Sequence, residues 1–397
     1  MLPKRPFGIT LKLKNQFWVI NGSPFLLSLQ NLLGWVDDEC KTTRDQDLPL
    51  CVRGFVCYPK CMDTETKSVL VYVGLDRIGD SLLKLPFVRS LREAFPGAHI
   101  TWVAGKDTSV YAGNMSPFVK GLLDEVIENA GIGLSPKELL RRPLNRRYFD
   151  IIFDTQRVAL ATLVLCRIRH GQFISPFGNF FLSSRKPPSG YTFPQSMQRQ
   201  MLDLLEIATG QKFKTPNTLP LQLEPSLLPA AKQLLPEGPI YVGLLPGSGG
   251  KPKCWPVEKF IQLAQKQISA GRVPVFLLGP QEKQWRPEIA AVVPEGIFPL
   301  QDGNHKDELK HEPQWTIALS KRLAVSVSND SGAGHMCAVG GQPLVSLFGR
   351  TSPAKFKPMT PKLTIIKAQD YGGREMHFIP VDAVDSAVKN AINGVYG

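Results

Sequence analysis

The sequence predicts an α/β protein made of two parallel-sheet halves, and three observations carry that expectation. From Ser68 onward, short apolar runs rich in β-branched residues alternate with segments of helical spacing. The alternation stops in a proline-rich stretch, residues 216–229, and starts again at Ile240. Small-residue loops follow several of the apolar runs. That is the carboxyl end of a strand, where open parallel sheets bind their ligands.

In chain order, residues 1–68 stand apart as an appended extension, with clusters of Pro, Asp and Thr and the cysteines Cys40, Cys51, Cys57 and Cys61. Its patterned part is 17–36, where the apolar spacing from Phe25 suits a short amphipathic helix entered through Ser23 and Pro24. Residues 68–73 then read as a buried strand, 74–80 as a loop and 82–95 as a helix stopped by Pro96 and Gly97. Further strands fall at 98–103, 126–127 and 150–154, the last leading into a helix over 158–169. In the second half, strands fall at 240–245, 273–278, 323–327 and 344–348, with helices over 256–270 and from His335. The organisation expected is an extension (1–68), a first Rossmann-like domain (69–225) and a second (226–397), with a hinge between about 215 and 235.

Composition narrows the function classes. A chain of 397 residues with 43% apolar residues has the length of two or three domains, at roughly 100–200 residues each, and is not disordered. Its longest uncharged apolar stretch, 158–166, is far short of the ~20 residues of a spanning helix. The N-terminus lacks the apolar segment of a secretory signal. Seven cysteines, an odd number in a long chain, argue against a secreted disulfide scaffold, so a cytoplasmic location is expected. The net charge of +13 calls for a polyanionic partner: nucleic acid, an anionic membrane surface or the substrate itself.

Three loops carry the chemistry. Gly79-Asp80 follows the first strand; Asp80 either offsets the dipole of the next helix or takes a proton from an attacking hydroxyl. The second loop runs Pro246-Gly-Ser-Gly-Gly-Lys-Pro-Lys-Cys-Trp-Pro256. Ser248 and Gly249 let backbone N–H groups approach an anion, and Lys251 and Lys253 add charge. It has neither the P-loop order nor the GxGxxG of dinucleotide sites. The third is Asn329-Asp-Ser-Gly-Ala-Gly-His335, with Asp330 and Ser331 as N-caps and Gly332 and Gly334 leaving room for a ligand. His335 is either a phosphate contact or a helix residue satisfied by its neighbours. The loop from Gly349 through Thr351 faces the same way. Together they suggest a sugar-nucleotide or dinucleotide site.

These residues resemble those of glycosyltransferase family 9, the lipopolysaccharide heptosyltransferases. Gly74-Leu-Asp-Arg-Ile-Gly-Asp-Ser-Leu-Leu-Lys-Leu-Pro86 followed by Leu91-Arg-Glu-Ala-Phe-Pro96 resembles its N-terminal signature. Lys253-Cys-Trp-Pro256 is similar to its Lys-Arg/His-Trp-Pro motif, and Asp330-Ser-Gly-Ala-Gly-His335 with Leu347-Phe-Gly-Arg-Thr351 to its later segments. Residues 150–156 and 278–282 fit their places in the order. The resemblance implies a GT-B architecture, two facing Rossmann-like domains, and an inverting sugar transfer that needs no metal or other cofactor. It makes Asp80 the general base and Lys253 the counter-charge for the diphosphate. It gives Glu282 the nucleotide ribose, and Asp330, Ser331 and Gly332 the sugar and phosphates, with His335 nearby. The implied partners are ADP-heptose and an anionic glycolipid acceptor at the cytoplasmic leaflet of the inner membrane, and not nucleic acid. A different nucleotide sugar, a protein acceptor or a non-catalytic binding role are the alternatives. The chain departs from the family pattern at Cys254, where Arg or His is usual, at Ala333-Gly334 and at Arg350.

Two clusters remain. The spacing C-x10-C-x5-C-x3-C of Cys40, Cys51, Cys57 and Cys61 leaves open a structural metal, a disulfide or ordinary thiols. Arg141, Arg142, Arg146 and Arg147 form either a solvated face or a patch for the acceptor or an anionic leaflet. Arg167, Arg169, Arg185 and Lys186 lie in the same half.

Overall fold

The computed structural model describes residues 9–13, 16–20, 66–141, 143–302 and 312–396. Contacts divide the chain into two units, 1–59 and 60–397. In the first, strands β1 (Ile9–Leu13) and β2 (Gln16–Ile20) form an antiparallel pair. The expected helix from Phe25, and Cys40, Cys51, Cys57 and Cys61, lie outside the described residues.

The second unit holds two five-stranded sheets, parallel throughout. The first contains β3 (Ser68–Val73), β4 (His99–Ala104), β5 (Glu125–Ile127), β6 (Tyr148–Asp154) and β7 (Arg169–Ile174), in the order β5-β4-β3-β6-β7. Its helices are α1 (Ile78–Ala94), α2 (Ala159–Leu165) and α3 (Met197–Thr209). Helix α4 (Leu227–Leu234) leads to the second sheet: β8 (Tyr241–Leu245), β9 (Val273–Phe276), β10 (Val325–Asn329), β11 (Leu344–Phe348) and β12 (Leu363–Lys367). The strand order there is β12-β11-β10-β8-β9. The accompanying helices are α5 (Val257–Ser269), α6 (Arg286–Val292), α7 (Glu312–Ser320), α8 (Gly332–Gly340), the single turn α9 (Pro353–Phe356) and α10 (Val381–Tyr396). Both sheets reverse direction beside their first strand, β3 or β8. That gap is the switch point at which such folds bind ligands.

The apolar runs form strands because both of their faces are buried. Val69, Val71 and Val73 pack under α1 and α3, while Leu70 and Tyr72 pack under α2. Val242 and Leu244 likewise oppose Tyr241 and Leu245 in the second half. The core of the first half also takes in Ile317, Met336 and Met359 from the second, and α8 lies against α1.

Three expectations need correction. The helix expected over 158–169 ends at Leu165, and Arg169 opens an edge strand instead. As an edge, β7 keeps Arg169 exposed and Gly171 and Gln172 half-exposed, so it lacks the apolar signature of its neighbours. The segment read as a proline hinge closes with α4, whose Leu227 and Ala231 are buried beneath β8. Pro229 is tolerated there because the N–H groups of a first helical turn have no intrahelical partner to lose. Helix α1 begins at Ile78 rather than 82, which takes Gly79 and Asp80 into its first turn.

Two buried carboxylates fix the loops after β3 and β6. Asp76 accepts hydrogen bonds from Ser81 Oγ (2.8 Å) and Lys84 Nζ (3.0 Å) on one oxygen. The other accepts from Trp102 Nε1 (2.9 Å) and Ser109 Oγ (2.7 Å). Burial alone would raise its pKa, but the Lys84 charge and the hydroxyl donors bring it below the ordinary carboxylate value. Asp154, at the end of β6, accepts from Gln156 N (2.9 Å), Thr162 Oγ1 (2.6 Å) and Ser175 Oγ (2.8 Å). No cation offsets its burial, and its pKa rises to about 6.

Removing the Asp76 carboxylate strands a buried ammonium. Asp76→Ala is expected to cost about 3–5 kcal/mol in urea denaturation, and adding Lys84→Met to recover most of it; a loss below ~1 kcal/mol contradicts this role. For Asp154 the folded chain holds the proton more tightly than the unfolded chain, whose value is near 3.8. Its contribution to stability is therefore complete at acid pH and lost as pH climbs through about 6. Asp154→Asn should gain on the wild type by roughly 3 kcal/mol between pH 4 and pH 7, about two pKa units' worth. Parallel stability curves for the two proteins would refute it.

Candidate active site

Gly79 and Asp80 stand where β3 ends at the switch point of the first sheet. Burial raises the pKa of Asp80; the charges of Lys84, Lys253 and Arg77 oppose the rise, and Asp76 adds to it. Asp80 lines a cavity of about 330 Å³ together with Thr155 and Gln156 from the end of β6 and Met197 and Met201 from α3. Two further lining residues are cations resting on aromatic rings. Arg157 lies 4.6 Å from the Phe193 ring, and Lys355 of α9 lies 4.9 Å from that of Phe356. Because α9 belongs to the second half, the cavity is built from both.

In the second half, the loop after β8 runs from Pro246 to a single turn at Lys251–Lys253. Asn329, fully buried at the end of β10, holds it at both ends. Its Nδ2 donates to Pro246 O (2.7 Å), and its Oδ1 accepts from Trp255 N (2.9 Å). Lys253 Nζ lies 3.6 Å from Asp330 Oδ2, the lysine half exposed and the carboxylate 8% exposed. Ser248 Oγ is buried without a hydrogen-bond partner among the described residues. Glu282, after β9, fills a recess that exists because two neighbours lack side chains. A Cβ on Gly247 would come within 2.6 Å of its carboxyl carbon, and one on Gly279 within 2.7 Å of Oε2. Burial raises the Glu282 pKa against backbone N–H groups that favour the charged form. Cys254 is half-buried, and its thiol is pushed up by burial and then by the Glu282 charge, so it stands beside that carboxylate.

Helix α8 begins at Gly332, with Ser331 in the N-cap position. Contrary to the capping expectation, the Ser331 side chain makes no cap bond; its Oγ lies 3.3 Å from Ser328 Oγ. Gly332 meets the backbone of Gly79, where a Cβ would stand 3.4 Å from the Gly79 nitrogen. His335 lies under the same junction, its Cδ2 3.0 Å from where a Gly79 Cβ would be. Burial depresses its pKa to about 4, despite Asp330. The imidazole is therefore neutral at pH 7 in the ligand-free chain. Thr351 is half-buried after β11, while Arg350 turns to Glu375 (2.8 Å).

The structure thus gathers Asp80, Ser248, Gly249, Lys253, Glu282, Asp330, Ser331, Gly332 and His335 around the two facing switch points. It does not bring the arginine cluster there. Arg147 pairs with Glu125 at 2.7 Å and approaches Thr101, at the amino ends of the strands. Arg141 and Arg146 are exposed on the same approach to β6, and Arg142 lies outside the described residues. The spacing of arginines carries no information about which end of a strand they precede, and the sheet puts these opposite the cleft. Two side chains quoted within motifs but given no role prove central: Asn329, which holds the loop after β8, and Asp76, which holds the turn bearing Asp80. Asn329 closes the apolar strand β10 and Asp76 stands three residues past the end of β3, and a polar residue so close to a buried strand's carboxyl end is the signal that could have singled them out.

The model of glycosyltransferase family 9 (heptosyltransferase) matches residues 139–377. Lipooligosaccharide heptosyltransferase 2 of Haemophilus influenzae is 23% identical over 313 residues, 75% of this chain and 88% of its own length. A family 9 glycosyl transferase structure from Veillonella parvula aligns with TM-score 0.60 at 19% identity, covering 84% of this chain and 99% of that one. The E. coli ADP-heptose lps heptosyltransferase II aligns with TM-score 0.57 at 18% identity, over 83% and 100% of the two chains. At such identities the structural likeness speaks for the fold, a GT-B pair of Rossmann-like domains. With the family model matching more than half of the chain, from residue 139 to residue 377, the chain belongs to glycosyltransferase family 9 (heptosyltransferase) and is a glycosyltransferase.

Proposed function

We propose that the protein is an inverting heptosyltransferase that moves heptose from ADP-heptose to a lipopolysaccharide-core-like acceptor without a metal. The observation that carries this reading is the opposition of Asp80, a carboxylate of raised pKa lining a cavity, to the Lys253–Asp330 pair across one seam. The names of the relatives support the substrates: one acts on lipooligosaccharide, and the other is described with ADP-heptose.

In this reading residues 69–225 form the acceptor domain and 226–397 the donor domain. Asp80 takes the proton of the acceptor hydroxyl as its oxygen bonds to the anomeric carbon. The bond from that carbon to the diphosphate oxygen breaks, and ADP leaves with the electron pair. One displacement inverts the configuration. Negative charge grows on the diphosphate, which Lys253, the N–H groups at the start of α8 and the loop containing Ser248 and Gly249 are placed to stabilise. Glu282, recessed between Gly247 and Gly279, accepts from the ribose hydroxyls. Neutral His335 and Thr351 shape the pocket around the donor.

The acceptor enters the 330 Å³ cavity, with Arg157 and Lys355 meeting its anionic groups in place of the Arg141–Arg147 cluster. That cluster fits a membrane contact better. Exposed Leu140 (71%) adjoins exposed Arg141 in the chain, with exposed Arg146 five residues on. An apolar side chain beside cations suits an anionic leaflet. No helix among the described residues is long and apolar enough to cross a membrane, and the contact proposed is peripheral, on the cytoplasmic face.

Asp80→Asn is expected to cut transfer by about 10²–10⁴-fold while leaving ADP affinity within a few-fold of wild type. Since the base acts ionised, kcat/KM of the wild type should rise with pH along a limb displaced above the ordinary aspartate range. The measurement is ADP release from ADP-heptose with core acceptors. An enzyme that releases none with any of them overturns the proposal.

A further inference from the structure

The charges assembled around the donor loop do not suit a diphosphate as they stand. Asp80, Glu282 and Asp330 bring three carboxylates, and Lys253 is already 3.6 Å from one of them. Lys84 is engaged by Asp76 and Arg350 by Glu375. Among the described side chains a diphosphate placed there needs another cation close by. Arg77 is the candidate. It occupies the N-cap position of α1, but its side chain makes no cap bond. It is exposed, and no hydrogen bond or ion pair joins its guanidinium to a described residue. Yet the guanidinium crosses the seam. Nη1 lies 3.0 Å from where a Cβ on Gly249 would stand, against the backbone of the opposite half's anion-binding loop. Arg77 and Gly332, at the N-terminus of α8, also line one cavity of about 350 Å³ beside Gly79.

Resting on the donor reading above, we propose that Arg77 completes the diphosphate site from the acceptor half, clamping the β-phosphate against the Ser248–Gly249 loop. A guanidinium is suited to this because its planar fork can hold two phosphate oxygens at once, which an ammonium cannot. Gly249 is the matching feature on the other side, since a Cβ there would stand 3.0 Å from Nη1 and press on the guanidinium. The arrangement makes donor binding depend on both halves, because the loop supplies the N–H groups and the opposite domain supplies the charge.

The test is calorimetric titration of the full-length wild type, Arg77→Gln and Arg77→Lys with ADP and with AMP, and with UDP, GDP and CDP as further probes. Arg77→Gln should weaken ADP about 10–100-fold, the range of one lost charged hydrogen-bonding contact, and leave AMP within a few-fold. Arg77→Lys should fall between the two. The exposed side chain predicts an unchanged thermal midpoint for both variants, so a loss of affinity is not a loss of fold. Equal ADP affinity in wild type and Arg77→Gln overturns the proposal while the donor reading stands. Equal weakening of ADP and AMP also overturns it, because the contact would then not be to the β-phosphate. If a different nucleoside diphosphate binds and ADP does not, the donor reading fails, and the same comparison on that nucleotide decides the role of Arg77. A wild type that binds none of them overturns both.

Discussion

The Asp76 carboxylate is the interaction on which the site depends. It receives four donors from three parts of the first half: Ser81 and Lys84 of α1, Trp102 of β4, and Ser109 from the loop beyond. An anion with every lone-pair direction answered can be buried where an isolated one cannot. The consequence is geometric. Because Asp76 is fixed, so is the start of α1, with Arg77 at its N-cap and Gly79 and Asp80 in its first turn. Lys84 has two effects in that arrangement. It neutralises Asp76, and its charge also restrains the rise in the Asp80 pKa. Asn329 does for the second half what Asp76 does for the first, without a charge. One amide closes the loop after β8 from both sides.

Between these two anchors the halves come closer than side chains would allow. Gly79 faces Gly332 and His335, and Gly249 faces Arg77. At Gly79 a Cβ would stand 3.0 Å from His335 and 3.3 Å from the Gly332 backbone, so space across the seam, not backbone torsion, favours glycine there. Burial at this junction accounts for the depressed pKa of His335 and the raised pKa of Asp80. Burial thus separates two titratable groups that lie at one junction. The imidazole has lost its charge at neutral pH, while the carboxylate keeps cations within reach that favour its ionised form.

How much of this was legible in the sequence differs by level. The strands buried on both faces, such as Val69–Val73 and Leu344–Phe348, announced themselves as apolar runs, and the loops following them carried the motifs. The edge strand β7 did not, because an edge keeps polar residues and has no continuous signature. Helix α3 carried its own capping signals, with Ser196 accepting from Arg199 N and Gly210 left-handed at its end. No motif drew attention to it, although Met197 and Met201 line the cavity beside Asp80. The arginine cluster shows a different limit. Charge density along the chain was plain to see, but the end of the sheet on which it falls is a property of topology. Arg157 and Lys355, 198 positions apart in numbering, share one cavity, and no local pattern joins them.

The electrostatics also bear on the order of events in the proposed reaction. Lys253 and Arg77 are among the charges that restrain the Asp80 pKa, and they are the groups assigned to the diphosphate. A bound diphosphate places negative charge between those cations and the carboxylate. By Coulomb's law its field at Asp80 opposes theirs. Donor binding then raises the proton affinity of Asp80 toward that of a more effective base at neutral pH. As the glycosidic bond breaks, the leaving diphosphate gains charge and draws the same two cations more strongly, so proton acceptance and departure of the leaving group favour each other. Coupling of this kind needs the base and the leaving-group cations to lie within reach of one another, as Asp80 does of Lys253 and Arg77.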